Sequence, residues 1–215
     1  MLAEVAKQKG ISLCGIQRDQ TTAVFSQQGL KPPDAILLAS DLSQAGVTGS
    51  LTSINLSDNN LTWWASHGRA HGREGITELA AALGVNGSLT SVDLSENNLT
   101  NRGLDMTGIK ELAAALGVNG SLTKMSLAEN KLEEKGTKAI CEALEQNKTL
   151  KELDISGYPS GSNIGGLAGA KHVAKMLGVN GSLIKCDLRQ NSMGEEEEAS
   201  IRKSVQGKAG FVLHV

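Results

Sequence analysis

Apolar positions along this chain follow two alternating rhythms. In LTSINLSDNNL (51–61), Ile54 and Leu56 stand two residues apart, the spacing of one strand face, and Ser53, Asn55 and Ser57 fall on the other. Further on, Ile76, Leu79, Ala80 and Leu83 keep the i, i+3, i+4, i+7 spacing of a helical stripe. Ile109, Leu112, Ala113 and Leu116 repeat it. Neither a strand with one apolar face nor a helix with one apolar stripe buries itself. Stacking such units buries both.

The unit recurs. The pattern L-x-x-φ-x-L-x-x-N-x-L, with φ apolar, fits 51–61, 89–99 and 122–132, and fits 183–193 with Cys186 and Met193 as substitutes. Residues 150–160 fit only the first half, with Tyr158 in the place of Asn and Ser160 in the place of the last Leu. Residues 20–30 are a weaker copy, with Gln28 at the Asn position. Six units therefore span 20–206 of a single domain, 1–215. The asparagine is expected to bond backbone groups that the strand leaves free. A hexapeptide, GVNGSL, occurs at 84–89, 117–122 and 178–183 and reads as the return from helix to strand. Gly84 and Gly117 are expected to be left-handed helix terminators, and Asn86-Gly87 and Asn119-Gly120 to be turns. ISLCGI (11–16) and FVLHV (211–215) are expected to add flanking strands, and MLAEVAKQ reads as the tail of a preceding helix. No dedicated polar cap stands at either end, which suits a piece of a longer protein.

This pattern resembles the leucine-rich repeat family, over nearly the whole chain. The long helical return resembles its ribonuclease-inhibitor-like branch. The resemblance implies an α/β fold: a right-handed solenoid in a horseshoe arc, parallel sheet concave, helices convex. It also implies a non-catalytic protein–protein interaction module. The alternative, from the resemblance to the Ran GTPase-activating protein, is a regulator of a small GTPase that lends Arg69, Arg73 or Arg102 to its partner's nucleotide site. That family's loop motif is not clearly present. A structural segment of a larger receptor is a third reading.

Like parts hold a solenoid together, so its individuality lies in the unlike parts. Three units carry extra residues between strand and helix: TWWASHGRAHGRE (62–74), TNRGLDMT (100–107) and SGYPSGSNIGG (156–166). In a solenoid these share one edge, beside the carboxyl ends of the strands, where insertions often mark a binding side. Trp63 and Trp64 are the only tryptophans, a residue enriched in binding hot spots. They serve as contacts or fold back over apolar helix ends. His67, Arg69, His71 and Arg73 make that loop locally basic. On the concave face the middle column reads Val24, Asn55, Asp93, Ser126, Asp154 and Asp187. With Tyr158 and Arg189 beside it, this face is the second candidate contact zone, suited to weak docking of a basic partner.

Composition narrows the classes. Of 215 residues, 21 are basic and 23 acidic, so no basic excess points to nucleic acid. No run of about 18 apolar residues suggests a membrane span. Cys14, Cys141 and Cys186 form no C-x-x-C pair and read as small core residues of a reduced, cytoplasmic protein. The Asn-x-Ser/Thr triplets then follow from the repeat rather than from glycosylation. His67 and His71 are four apart, but Gly68 and Gly72 oppose the helix that zinc would need, so no metal or other cofactor is expected. No phosphate-binding loop, nucleophile elbow or zinc-protease helix occurs. EEEE (195–198) opens the last helix, where carboxylates complement the helix dipole. The expected partner is a protein whose identity the sequence does not give, nor does it give the oligomeric state.

Overall fold

The computed structural model describes residues 9–62, 72–101, 103–158 and 161–215. Within them, three-residue strands alternate with helices: β1 (Thr22–Val24), α1 (Pro32–Leu42), the one-turn α2 (Ala45–Thr48), β2 (Ser53–Asn55), α3 (Arg73–Val85), β3 (Ser91–Asp93) and α4 (Thr107–Val118). There follow β4 (Lys124–Ser126), α5 (Glu133–Gln146), β5 (Glu152–Asp154), α6 (Gly166–Val179), β6 (Lys185–Asp187), α7 (Glu195–Ser204) and β7 (Val212–His214). All neighbours are parallel, and the order across the open sheet is the order in sequence.

The register aligns the middle residues Ala23, Ile54, Val92, Met125, Leu153, Cys186 and Leu213 into one row. The first six are at most 1% exposed and form the core with the helix stripes, including Ile76, Leu79, Ile109 and Leu112 at 0%. Helices pack in order: α1 on α3, α3 on α4, α4 on α5, α5 on α6, α6 on α7. Adjacent strands stand about 4.8 Å apart and packed helices about 8–10 Å. One of each per unit forces the stack to bend, sheet inside and helices outside. The result is an α/β leucine-rich-repeat solenoid.

Two asparagine ladders bind the units. The rim ladder is Asn59, Asn97, Asn130, Asn163 and Asn191. Asn130 is typical. It is fully buried, its Oδ1 accepts from the Asn97 and Leu99 amides at 3.0 and 3.2 Å, and its Nδ2 donates to the Leu94 and Ala128 carbonyls at 2.8 and 3.0 Å. Residues flanking the ladder asparagine adopt positive φ, as in Glu96 and Asn98, Glu129 and Lys131, and Gln190 and Ser192. The second ladder was missed by the sequence reading. Asn86, Asn119, Asn147 and Asn180 donate to the Leu42, Leu83, Leu116 and Leu144 carbonyls, the helix ends of the preceding units, at 2.6–2.8 Å. Each Oδ1 accepts two amides of the chain that follows, as Asn119 does from Ser121 and Leu122.

That second ladder corrects the reading of GVNGSL. Gly84 and Gly117 lie inside α3 and α4 and have no positive φ; the helices end at extended Asn86 and Asn119. A Cβ on Gly84 would lie 3.5 Å from the Ala115 Cβ, so the glycine lets neighbouring helix ends approach. The Ser/Thr of each triplet also reaches back: Ser121 Oγ donates to the Asn86 carbonyl at 3.1 Å and Ser182 Oγ to the Asn147 carbonyl at 2.9 Å. Both polar residues of these triplets therefore serve the stack.

The ends differ from each other. Residues 211–215 supply β7, as expected, but residues 11–16 form no strand. They are drawn instead onto Asp41 of α1, which is 0% exposed and accepts from the Ser12 hydroxyl and the Leu13 and Cys14 amides at 2.7–2.9 Å. A buried carboxylate without such donors costs several kcal/mol. Satisfying it makes this segment a strap across the first unit.

Candidate functional site

Two surfaces meet along the carboxyl ends of the strands: the sheet face turned away from the helices, and the rim above it. On the sheet face one exposed column runs Thr22, Ser53, Ser91, Lys124, Glu152, Lys185, Val212, and the next runs Val24, Asn55, Asp93, Ser126, Asp154, Asp187, His214. The second column is the one expected from sequence, and most of its oxygens are in use. Asp93 Oδ1 accepts from the Ser95 amide and hydroxyl at 2.9 and 2.6 Å, and Asp154 Oδ1 does the same with Ser156 at 3.0 and 2.7 Å. These carboxylates thus close the turn after each strand, as side-chain oxygens do in Asx turns.

The other charges are largely matched within the face. Glu152 lies between Lys124 at 3.9 Å and Lys185 at 3.6 Å. Asp187, 6% exposed, receives the Arg189 guanidinium on both oxygens, at 2.6 Å from Nη2 and 3.0 Å from Nε. Burial pushes the Asp187 carboxyl up, but the hydrogen bonds and charge of Arg189 outweigh it and hold it below the usual range. This half of the face offers paired charges to a partner.

The rim carries the unpaired charge. Asp58, Glu96 and Glu129 occupy the left-handed position just before Asn59, Asn97 and Asn130, with φ of 51, 56 and 55°. They line a shallow groove of roughly 290 Å³ with Asn98, Lys131 and Tyr158. Tyr158 closes one end: its hydroxyl donates to the Glu129 carbonyl, and Lys131 Nζ lies 5.7 Å from its ring centre. Burial raises the Glu129 carboxyl above its ordinary value, with the charges of Glu96 and Asp154 adding to it. Burial likewise lifts the Tyr158 phenol to about 12, with Glu129 and Glu96 contributing, so it remains a neutral donor.

Tyr158 does not replace an asparagine. The fifth unit keeps its ladder residue five places later: Asn163 Oδ1 accepts from the Asn130 and Leu132 amides at 3.0 and 3.2 Å, and its Nδ2 donates to the Leu127 carbonyl at 3.0 Å. Ile164, 0% exposed, fills the place of the closing leucine. The signal was the Asn163-Ile164 pair inside the supposed insertion. The extra residues of this unit therefore rise before the ladder, whereas those of the second and third units leave after it.

There Thr62 and Thr100 are tethered, donating to the Asn98 and Lys131 carbonyls at 2.6 Å. Where the second unit departs, one rung is missing. Asn60, unlike Asn98 and Lys131, has no positive φ, its amide donates to the Leu30 carbonyl, and the Oδ1 of the fully buried Asn97 has no partner. Trp63, Trp64, His67, Arg69, His71 and Arg102 lie outside the described residues. Arg73 is the exposed first residue of α3. Its charge helps to lower the Asp105 carboxyl, whose main support is the hydrogen bond from the Thr107 amide.

No group of three His, Cys, Asp or Glu among the described residues could hold a metal ion. Cys141 and Cys186 are buried, and burial drives both thiols far above their usual value. Half-buried Cys14 is raised to about 12, first by burial and then by the Asp41 charge. A thiol so raised is a poor nucleophile. No helix among the described residues is long and apolar enough to cross a membrane.

Residues 85–106 match the Leucine Rich repeat family model. No curated protein matches in sequence. Among solved structures, the chain is similar to leiomodin-1 actin-binding site 2, at 21% identity and TM-score 0.58, over 80% of this chain and 87% of that one. It is also similar to the leucine-rich repeat-containing protein LegL7 from Legionella pneumophila, at 20% identity and TM-score 0.58, over 91% of this chain and 56% of that one. At such identities the likeness is one of fold, and it agrees with the ladders and the sheet: this chain folds as a leucine-rich repeat solenoid.

Proposed function

We propose that the chain is a non-catalytic protein-interaction module that engages a protein partner along its rim, with the sheet face as a second contact zone. One observation carries this reading. The groove lined by Asp58, Glu96, Glu129 and Tyr158 gathers unpaired carboxylates on the edge from which the second and third inserts depart. On the sheet face, by contrast, Glu152 is paired with Lys124 and Lys185 and Asp187 with Arg189. A surface of this kind favours a partner that brings lysines or arginines, since complementary potential sets orientation and association rate. Trp63 and Trp64 are the proposed apolar anchors beside it.

The experiment is affinity capture from a lysate with quantitative mass spectrometry. It compares the unaltered chain with Glu96→Lys/Glu129→Lys and with Trp63→Ala/Trp64→Ala, each checked for native circular dichroism. Proteins retained by the unaltered chain and lost from both folded variants support the reading. An identical captured set for all three removes it.

A further inference from the structure

The second ladder leaves one glycine of GVNGSL without a structural duty. The asparagine and the serine fasten neighbouring units, as Asn119 and Ser121 do. The glycine between them does not. Gly87, Gly120 and Gly181 have no positive φ, and a Cβ on any of them would meet nothing within 4 Å. The place also accepts a side chain. Asn147 is followed by Lys148, yet it makes the same bonds to the preceding helix end and the following amides.

What the glycine changes is the chemistry of the asparagine before it. A backbone nitrogen can attack the side-chain carbonyl carbon of the preceding asparagine. The nitrogen gives its proton to solvent base and bonds to Cγ. The Cγ–Nδ2 bond then breaks, and Nδ2 leaves as ammonia with a proton from solvent. Water opens the resulting cyclic imide at either carbonyl, to aspartate or isoaspartate. One water is consumed, one ammonia is released, and nothing is oxidised or reduced. A side chain on the attacking residue hinders ring closure, and glycine, with no Cβ and the freest backbone, hinders it least.

The fold blocks this reaction at all three Asn-Gly pairs. The imide ring closes only with a negative ψ at the asparagine, whereas Asn86, Asn119 and Asn180 hold ψ at 124, 127 and 125°. Each buried carboxamide is also gripped at both ends. Its Nδ2 donates to the preceding unit at 2.6–2.8 Å, and its Oδ1 accepts two amides at 2.7–3.0 Å. Neither product can take the same place. An aspartate carboxylate accepts and cannot donate. At position 119 it would face the Leu83 and Asn86 carbonyls that Nδ2 now serves at 2.7 and 3.2 Å. A buried charge without donors opposes folding. Isoaspartate adds a main-chain atom where the helix return meets the strand.

We propose that Asn86, Asn119 and Asn180 are deamidation sites that the folded stack keeps closed, so that the chain loses its ability to refold the longer it stays unfolded. A brief opening leaves the ladder intact. A long one converts a rung to an acid, and unfolding becomes irreversible by chemical change rather than by aggregation. With three such pairs, the first to react suffices.

The test holds the 215-residue chain in guanidinium chloride at mildly alkaline pH for graded times, beside a native sample in the same buffer without denaturant. Peptide mapping by mass spectrometry reads amide loss at each asparagine, and circular dichroism after dilution reads the refolded fraction. The native sample is expected to keep the three amides. The denatured chain is expected to lose them well before that of Asn147, an internal control that needs no substitution, and its refoldable fraction is expected to fall in step. Gly87→Ala/Gly120→Ala/Gly181→Ala is expected to show native circular dichroism and to remain refoldable several-fold longer. Equal rates of amide loss in native and denatured samples overturn the inference. So does full refolding of chains that carry the acid, or a refoldable fraction that falls while the amides stay intact.

Discussion

The missing rung of the rim ladder allows two chemically identical substitutions to be set against each other. Asn97→Ala and Asn130→Ala each delete a fully buried amide side chain. At Asn97 the three carbonyls it serves keep another donor. Leu56 retains Asn59 Nδ2, Leu94 retains Asn130 Nδ2, and Ser95 retains the Asp58 amide. Its Oδ1 accepts nothing. Truncation therefore strands no polar group, and the expected cost is about 1–2 kcal/mol for lost bonds and a small void. At Asn130 the carbonyls are again served twice, Leu94 by Asn97 and Ala128 by the Glu96 amide. The amides of Asn97 and Leu99, however, have Asn130 Oδ1 as their acceptor. Two buried N–H groups left without acceptors cost about 1–3 kcal/mol each. Added to the same about 1–2 kcal/mol for lost bonds and void, the expected loss for Asn130→Ala is about 3–8 kcal/mol, a large share of an ordinary domain's stability of about 5–15 kcal/mol. Urea unfolding followed by circular dichroism measures both at constant m-value. Equal losses for the two variants would refute the hydrogen-bond accounting and assign the cost to cavity volume alone.

Gly157→Ala would place a Cβ 2.0 Å from the Gln190 carbonyl oxygen, a backbone atom with nowhere to go. It is expected to destabilise by about 2 kcal/mol or more and to displace Tyr158, read from the urea midpoint and tyrosine fluorescence after masking the tryptophan signal. Glu129→Gln should stabilise the fold at neutral pH, because the folded state raises the Glu129 pKa and so disfavours its charge. That advantage should shrink as pH falls through the raised titration, where the native carboxyl becomes protonated; thermal melts across pH would show it, and a constant difference would count against it. Native thiol labelling at mild alkaline pH should leave Cys141 and Cys186 untouched and modify Cys14 slowly, while urea exposes all three. Rapid native labelling of either buried cysteine would contradict the packing.

The fold was legible because it is written redundantly. Each inward row repeats one decision, Ile54, Val92, Met125, Leu153, that the strand period alone reveals. The exposed columns followed at once, since register fixes both faces together. What pattern could not show was where polar atoms reach between units. Asn86 and Asn119 looked like turn residues because Asn-Gly is a turn signal, and only their distance to the preceding helix end shows them as a ladder. Asn163 was hidden by an insertion that shifted it out of frame. ISLCGI has the composition of a strand, but the buried Asp41 needed its amides more than the sheet did. The rim acids went unnoticed because Asp58, Glu96 and Glu129 lie in the variable positions of the pattern, where a solvated residue is the ordinary reading. The candidate anchors Trp63 and Trp64 fall outside the described residues, so their place rests on sequence.

The vacant Oδ1 of Asn97 has a mechanical meaning. A row of linked coils parts where the fastening between two of them is weakest, and along the rim that place is the seam between the second and third coils. Thermal breathing that starts at the β1 side should run through the first two coils and stall there. In hydrogen–deuterium exchange the rim amides would then show a step, quick before the seam and slow beyond it.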